Sequence, residues 1–214
     1  MDFVFVTKSS TEIAVADANG NVYYKIVSRF PKSKEEAPTT AVERYKAHLP
    51  VLRKPLIPKD FNKIPSLSDP YVTGVIEWQS SRSPTRFHHK AWRSKVQGVD
   101  GVPADQVMFA QEGYGISNEE RRLFIGGDGD TYLWMWEPSY GSSLLNLSKS
   151  SKTIARCRNH HLPLDCYYPS QTRRVLTIND PEELSIEVTT IIITFLYMEY
   201  SRTLLDVAEQ GFKC

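Results

Sequence analysis

The segment from Val188 to Tyr200 most constrains what this chain can fold into. It reads Val-Thr-Thr-Ile-Ile-Ile-Thr-Phe-Leu-Tyr-Met-Glu-Tyr, bounded by Glu187 and interrupted only by Glu199. A membrane span needs about 20 predominantly apolar residues, so a run of this length reads as a buried core helix. Asp180 offers a cap, Pro181 suits a first helical position and Glu183 stands three residues after the cap, which predicts a helix over about 181–209 with Gly211 as its stop. The β-branched residues Ile186, Val188, Ile191, Ile192 and Ile193 carry a mild strand preference. Length and capping outweigh it. A helix apolar on nearly every side must be surrounded by protein.

The rest of the chain reads as strands. Ile13 to Ala16, a turn at Asp17 to Asn21 and Val22 to Ile26 form one expected hairpin, and Arg122 to Ile125, Gly127 to Asp130 and Thr131 to Trp136 form another. Asn-Gly and Asp-Gly supply the backbone angles of tight hairpin turns. Their recurrence is consistent with two related halves. Asp2 to Val6, Tyr71 to Gln79, Lys152 to Arg158 and Arg173 to Ile178 are further strands, rich in β-branched and aromatic residues. Seven prolines from Pro31 to Pro70 exclude a long strand or helix there, leaving a surface loop with a short strand or helix around Thr39 to His48. Gln97 to Asn118, with four glycines, reads as a second loop. The economical way to surround the helix with these strands is a β-barrel closed around it. One domain over 1–214 accommodates this, with loops near 29–70 and 97–118.

The balance of 26 Lys and Arg against 25 Asp and Glu argues against a surface that is wholly a trap for nucleic acid. The opening Met1 to Lys8 reads as a strand, not a secretory signal. Three cysteines, Cys157, Cys166 and Cys214, cannot all pair within one chain. An intracellular, cytoplasmic location without disulfides or a transmembrane span is expected.

Ala18-Asn19-Gly20-x-x-Tyr23, Gly74-Val75-Ile76-Glu77-Trp78, Arg122-x-Phe124 leading into Asp128-Gly129-x-x-Tyr132-x-Trp134, Ile154-Ala155-Arg156 and an apolar helix ending in Tyr200-Ser201-Arg202 follow one another in that order. Together they resemble an uncharacterised domain-of-unknown-function family abundant in mushroom-forming fungi and related to the tubby C-terminal-like, plant LURP-one-related and scramblase superfamily. The resemblance implies an antiparallel barrel of about twelve strands wrapped around a hydrophobic C-terminal helix. Tubby proteins of that superfamily bind phosphoinositides, whereas the fungal family has no established activity.

Arg82, Arg86, Lys90, Arg93 and Lys95, with Phe87, His88, His89 and Trp92 among them, form the clearest charge feature, and no acid occurs between Glu77 and Asp100. Cations beside an apolar anchor suit an anionic membrane surface, each contributing about 1 kcal/mol. Arg82, Arg86, Lys90, Arg93, Lys95 and Trp92 are therefore the candidate lipid-binding residues. Stacking of single-stranded nucleic acid on the aromatics is a weaker alternative, and a solvated hairpin with Phe87 and Trp92 in the core is the bland one. Cys157, His160, His161 and Cys166 fall within ten positions, but they lack a C-x-x-C pair, and Cys157 on a strand reads as a core residue. Adjacent His88 and His89 point to opposite strand faces and do not grip one ion. The two Asp-rich turns lack the glutamate that an EF-hand places at its twelfth position. No G-x-S-x-G or H-E-x-x-H motif is present. The expectation is a non-enzymatic protein without cofactor or metal that binds anionic phospholipid or phosphoinositide head groups at the membrane periphery. A protein-interaction scaffold using the proline-rich loop is the alternative, and an enzyme a distant third.

Overall fold

The computed structural model describes residues 1–9, 11–17, 21–33, 35–45, 71–80, 83–92, 101–110, 121–137, 141–161, 172–180 and 184–211. Its strands are β1 (Asp2–Ser9), β2 (Glu12–Ala16), β3 (Val22–Arg29), β4 (Thr39–Arg44), β5 (Tyr71–Glu77), β6 (Arg86–His89), β7 (Val102–Pro103), β8 (Met108–Ala110), β9 (Arg121–Ile125), β10 (Thr131–Glu137), β11 (Gly141–Asn146), β12 (Lys152–His161) and β13 (Thr172–Ile178). A one-turn helix α1 (Ala104–Val107) lies between β7 and β8, and α2 (Val188–Gly211) follows β13.

All thirteen strands form one antiparallel sheet in the order β7-β6-β5-β4-β3-β2-β1-β13-β12-β11-β10-β9-β8. Every neighbour in it is also a neighbour in sequence except β1 and β13, which pair through Asp2 with Thr177, Phe3 with Leu176 and Val4 with Val175. The order is that of a ring with one pairing left out. The strands at the two edges, β7 and β8, are joined by the four residues of α1.

The expected antiparallel fold of about twelve strands with a C-terminal helix is present as thirteen strands among the described residues, and the expected closure is corrected: among those residues the hydrogen-bond ladder does not close. Side chains near the two edges meet instead. Just beyond β6, Trp92 donates its indole N–H to the carbonyl of Ile125 in β9 at 2.9 Å and packs against Phe124 of the same strand. Ala91 and Gly127 approach so closely that a Cβ on the glycine would lie 3.1 Å from that of the alanine.

The curled sheet encloses α2. Seven consecutive residues, Thr189 to Phe195, are each at most 3% exposed, so no side of that stretch faces water. A strand in that position would leave its backbone N–H and C=O groups without partners, whereas a helix satisfies its own. This is why the β-branched run is helical despite its propensity. Contacts reach α2 from around the sheet: Phe5 of β1 and Trp134 of β10 pack on Phe195, and Phe87 of β6 packs on Tyr197. Ser142 of β11 donates to Glu199 at 2.7 Å. In β5, Gly74 has no room for a side chain, since a Cβ there would sit 2.3 Å from Ile193.

Both expected hairpins are present, as β2–β3 and β9–β10. The start of the helix is not where the capping pattern placed it. Asn179 donates its backbone N–H to Ile154 and its side-chain amide to Thr153, extending the pairing with β12, and Asp180 takes a left-handed φ of 46° unlike that of an N-cap. Residues 184–187 are non-helical, and the Glu187 carbonyl accepts from the N–H groups of Thr190 and Ile191. The loop expected over 97–118 contains β7, α1 and β8, while in the proline-rich region β4 forms over Thr39–Arg44 and residues 46–70 lie outside the described residues. Among the described residues no helix is long and apolar enough to cross a membrane.

Trp134 donates its buried indole N–H to the Thr194 hydroxyl at 2.8 Å, binding the sheet to the helix interior. Thr194→Val keeps the shape and strands that donor. Urea unfolding is expected to show a loss of about 1–3 kcal/mol; an unchanged midpoint would mean that the bond contributes nothing to stability.

Candidate functional site

The start of α2 lies between two hairpin ends. On one side, β6 alternates, with Phe87 and His89 facing the interior and Arg86 and His88 the outer surface, where His88 meets Glu77 at 3.1 Å. After His89 the chain turns, with Trp92 N–H bonded to the His89 carbonyl. Within this turn Ala91 donates its N–H to His89 Nδ1 at 3.2 Å. A neutral imidazole that accepts at Nδ1 carries its proton on Nε2. That Nε2–H is buried and has no hydrogen-bond partner, with its nearest acid, Glu187 Oε2, at 4.0 Å. Glu187 is instead held by Lys90 at 2.5 Å. Burial is the main force pushing the His89 pKa below the ordinary histidine value; Glu187 opposes it and Lys90 adds to it.

The other side is the turn between β9 and β10, where Gly126 N–H bonds the Asp130 carbonyl and Gly129 takes a φ of +84°. Asp128 accepts from the Tyr132 hydroxyl at 2.6 Å and from the Ser185 hydroxyl at 2.5 Å. Burial, with the bond to Asp128, raises the Tyr132 pKa far above the usual phenol value. Asp130 accepts from Asn146 at 3.0 Å and pairs with Lys149 at 2.9 Å, contacts that lower its carboxyl pKa. Lys149 also donates to Ser185 at 3.1 Å. Between the two sides lies a cleft of about 270 Å³, whose lining includes Lys90, Asp128, Ser185, Ile186, Glu187 and Thr190 but not His89, which reaches it only through Glu187, 4.0 Å from Nε2.

Of the expected lipid-binding residues, Arg82, Arg93 and Lys95 lie outside the described residues. The other three do not converge. Arg86 belongs to the outward set of β6, Lys90 turns to Glu187, and Trp92 packs between Phe87 and Phe124 as a strut across the sheet edges. Cys157 is a buried core residue of β12, as expected, while Cys166 and the side chains of His160 and His161 lie outside the described residues. Among the described residues no group of three or more His, Cys, Asp or Glu could hold a metal ion. The Asp-rich turns serve as hairpin connections, Asp17 accepting from both the backbone and the side chain of Asn21.

A family model matches residues 7–203, which takes in every cleft residue and most of the sheet. The chain belongs to the DUF6593 family. Its description is that of a family of unknown function, so membership in DUF6593 assigns no chemistry to the cleft. No curated protein and no solved structure matches the chain significantly.

Sequence reasoning named Lys90 but missed its companions. Strand alternation across Phe87, His88 and His89 was the one signal for an inward His89; nothing local marks Ser185 or Glu187. Because the His89 pKa is lowered in the folded state, its contribution to stability is full above the unfolded histidine pKa of about 6.5 and is lost as pH falls toward the lowered folded value. The melting temperature is therefore expected to drop between about pH 7 and 5, and His89→Gln to flatten that drop. Equal slopes for the two proteins would contradict a buried neutral imidazole.

Proposed function

We propose that this chain is a non-enzymatic, intracellular binding module that reversibly takes a phosphate-bearing head group, such as that of an anionic phospholipid, at the start of α2. The observation carrying the reading is the His89 Nε2–H, a buried donor without an acceptor, 4.0 Å from the Glu187 carboxylate that holds Lys90 just before the first turn of a long helix. The first N–H groups of a helix lack intrahelical acceptors and favour anions. A phosphate oxygen there satisfies the imidazole donor and gives Lys90 a second anionic partner.

Glu187 is about half exposed and holds the Lys90 ammonium. An incoming phosphate competes with it, so removal of its charge tightens binding. Arg82, Arg86, Arg93 and Lys95 enter the proposal as diffuse attraction toward an anionic membrane surface rather than as direct ligands. Kinship with tubby-like proteins, carried by the sequence resemblance, accords with the same ligand class.

Co-sedimentation with vesicles of graded anionic phospholipid content tests this reading. Binding is expected to rise with anionic content and fall with salt. Lys90→Gln should weaken it about five-fold and Glu187→Gln should strengthen it by a similar factor, the ratio that corresponds to about 1 kcal/mol. Indifference to anionic content, or a Lys90→Gln variant that binds like wild type, would overturn the proposal.

A further inference from the structure

Resting on that phosphate-site reading, we infer that a proton controls the cleft: Glu187 holds Lys90 while His89 is neutral and turns to His89 when the imidazole is charged, which releases Lys90 to an anionic ligand. His89 lies outside the cleft lining and acts on it through Glu187. That acid is placed to serve either cation. Its Oε1 bonds the Lys90 ammonium at 2.5 Å, and its Oε2 lies 4.0 Å from His89 Nε2. Glu187 ends the non-helical stretch before α2 and is about half exposed, which leaves its carboxylate room to rotate.

The costs of the two pairings are unequal. Lys90 is 61% exposed, so water replaces Glu187 around a released ammonium at little cost. The His89 side chain is 1% exposed, and an imidazolium there has no water to turn to. The acid therefore goes to the ring. Around that ring β5 presents Gly74, the turn after β6 presents Trp92 and Lys90, and the start of α2 presents Glu187, the one acid among the described residues within 4.0 Å of a His89 nitrogen. Glu77 is occupied with His88 on the outer surface, and Tyr24 of β3, which interacts with Glu187, is a phenol that burial keeps neutral. The added proton enters at Nδ1, the ring nitrogen whose lone pair is available in this tautomer. There it ends the hydrogen bond from Ala91 N–H, within the turn that carries Lys90. Proton uptake thus acts on Lys90 from two sides, and the cluster of His89, Lys90 and Glu187 passes from no net charge to one positive charge. Burial of the imidazole sets this change below the ordinary histidine value of about 6.5.

Co-sedimentation of the full chain with phosphatidylglycerol vesicles, whose phosphodiester charge is constant over this range, tests the inference as pH falls from about 7.5 to about 5. Wild-type affinity is expected to rise about five-fold, the ratio for one added charge near an anionic surface. His89→Gln, which cannot take the proton, and Lys90→Gln, which has no ammonium to release, should each show no rise. An unchanged wild-type affinity, or a rise that either variant keeps, would overturn the inference, while binding at neutral pH would leave the phosphate-site reading standing. Binding at neither pH would sink the two together. Should the variants fail to fold, wild type alone decides. Carbon-13 NMR of the Glu187 carboxyl should show a shift with the same midpoint as the His89 ring, and a carboxyl signal that passes through that midpoint unmoved would contradict the exchange of partners.

Discussion

The enclosure of α2 is the constraint on which the rest of the structure depends. Seven successive residues from Thr189 to Phe195 are buried, so the helix cannot lie on a sheet in the manner of an amphipathic helix and must be wrapped by one. Wrapping requires a sheet long enough to go round. The chain supplies thirteen strands by sequential antiparallel pairing and joins the terminal strand β1 to β13 in the middle of the ladder. The edges then fall at β7 and β8, which α1 holds together, and Trp92 links the neighbouring strands by a hydrogen bond and an aromatic contact. Polar contacts inside the enclosure follow the same logic. The indole of Trp134 and the hydroxyl of Thr194 satisfy one another where no water reaches.

The same geometry creates the cleft. A helix enclosed along its first turns has a beginning that must emerge somewhere, and here it emerges between the β6 turn and the β9–β10 turn. Those two hairpin ends belong to strands near opposite edges of the sheet, brought together only because the sheet curls. The result is a place where Lys90, Asp128 and the Ser185–Glu187 segment, three stretches far apart in sequence, line one small cleft, with His89 Nε2 4.0 Å from Glu187. Most polar groups there are matched internally: Asp128 accepts from Tyr132 and Ser185, and Lys149 bonds both Ser185 and Asp130. The buried imidazole N–H of His89 is not.

Much of this was legible in the sequence because it depends on local patterns. The Asn-Gly and Asp-Gly turns marked β2–β3 and β9–β10, the β-branched runs marked β1, β5, β12 and β13, and the apolar run marked α2. Other elements were hidden for physical reasons. β11, reading Gly-Ser-Ser-Leu-Leu-Asn, lacks β-branched residues, and its pairing with β10 and β12 decides its conformation. β7 and β8 are two and three residues long and sit among glycines, where only pairing with β6 and β9 makes them strands. The helix start was misplaced because Asp180 and Pro181 mimic a cap while Asn179 is still bonded to β12. The charge run drew attention to Arg82 through Lys95, yet a run in sequence says nothing about convergence. Trp92 has a packing role, and Lys90 is directed by an acid nearly a hundred residues away.

The account turns on the state of one imidazole, and its ring nitrogens can be observed directly by long-range proton–nitrogen correlation NMR of the full chain at neutral pH. The geometry predicts that His89 is the neutral tautomer protonated at Nε2, with Nδ1 accepting from Ala91, and that its Nε2 signal moves when a soluble phosphate monoester is added. A ring protonated at Nδ1, or an Nε2 signal indifferent to a ligand that binds, would contradict it.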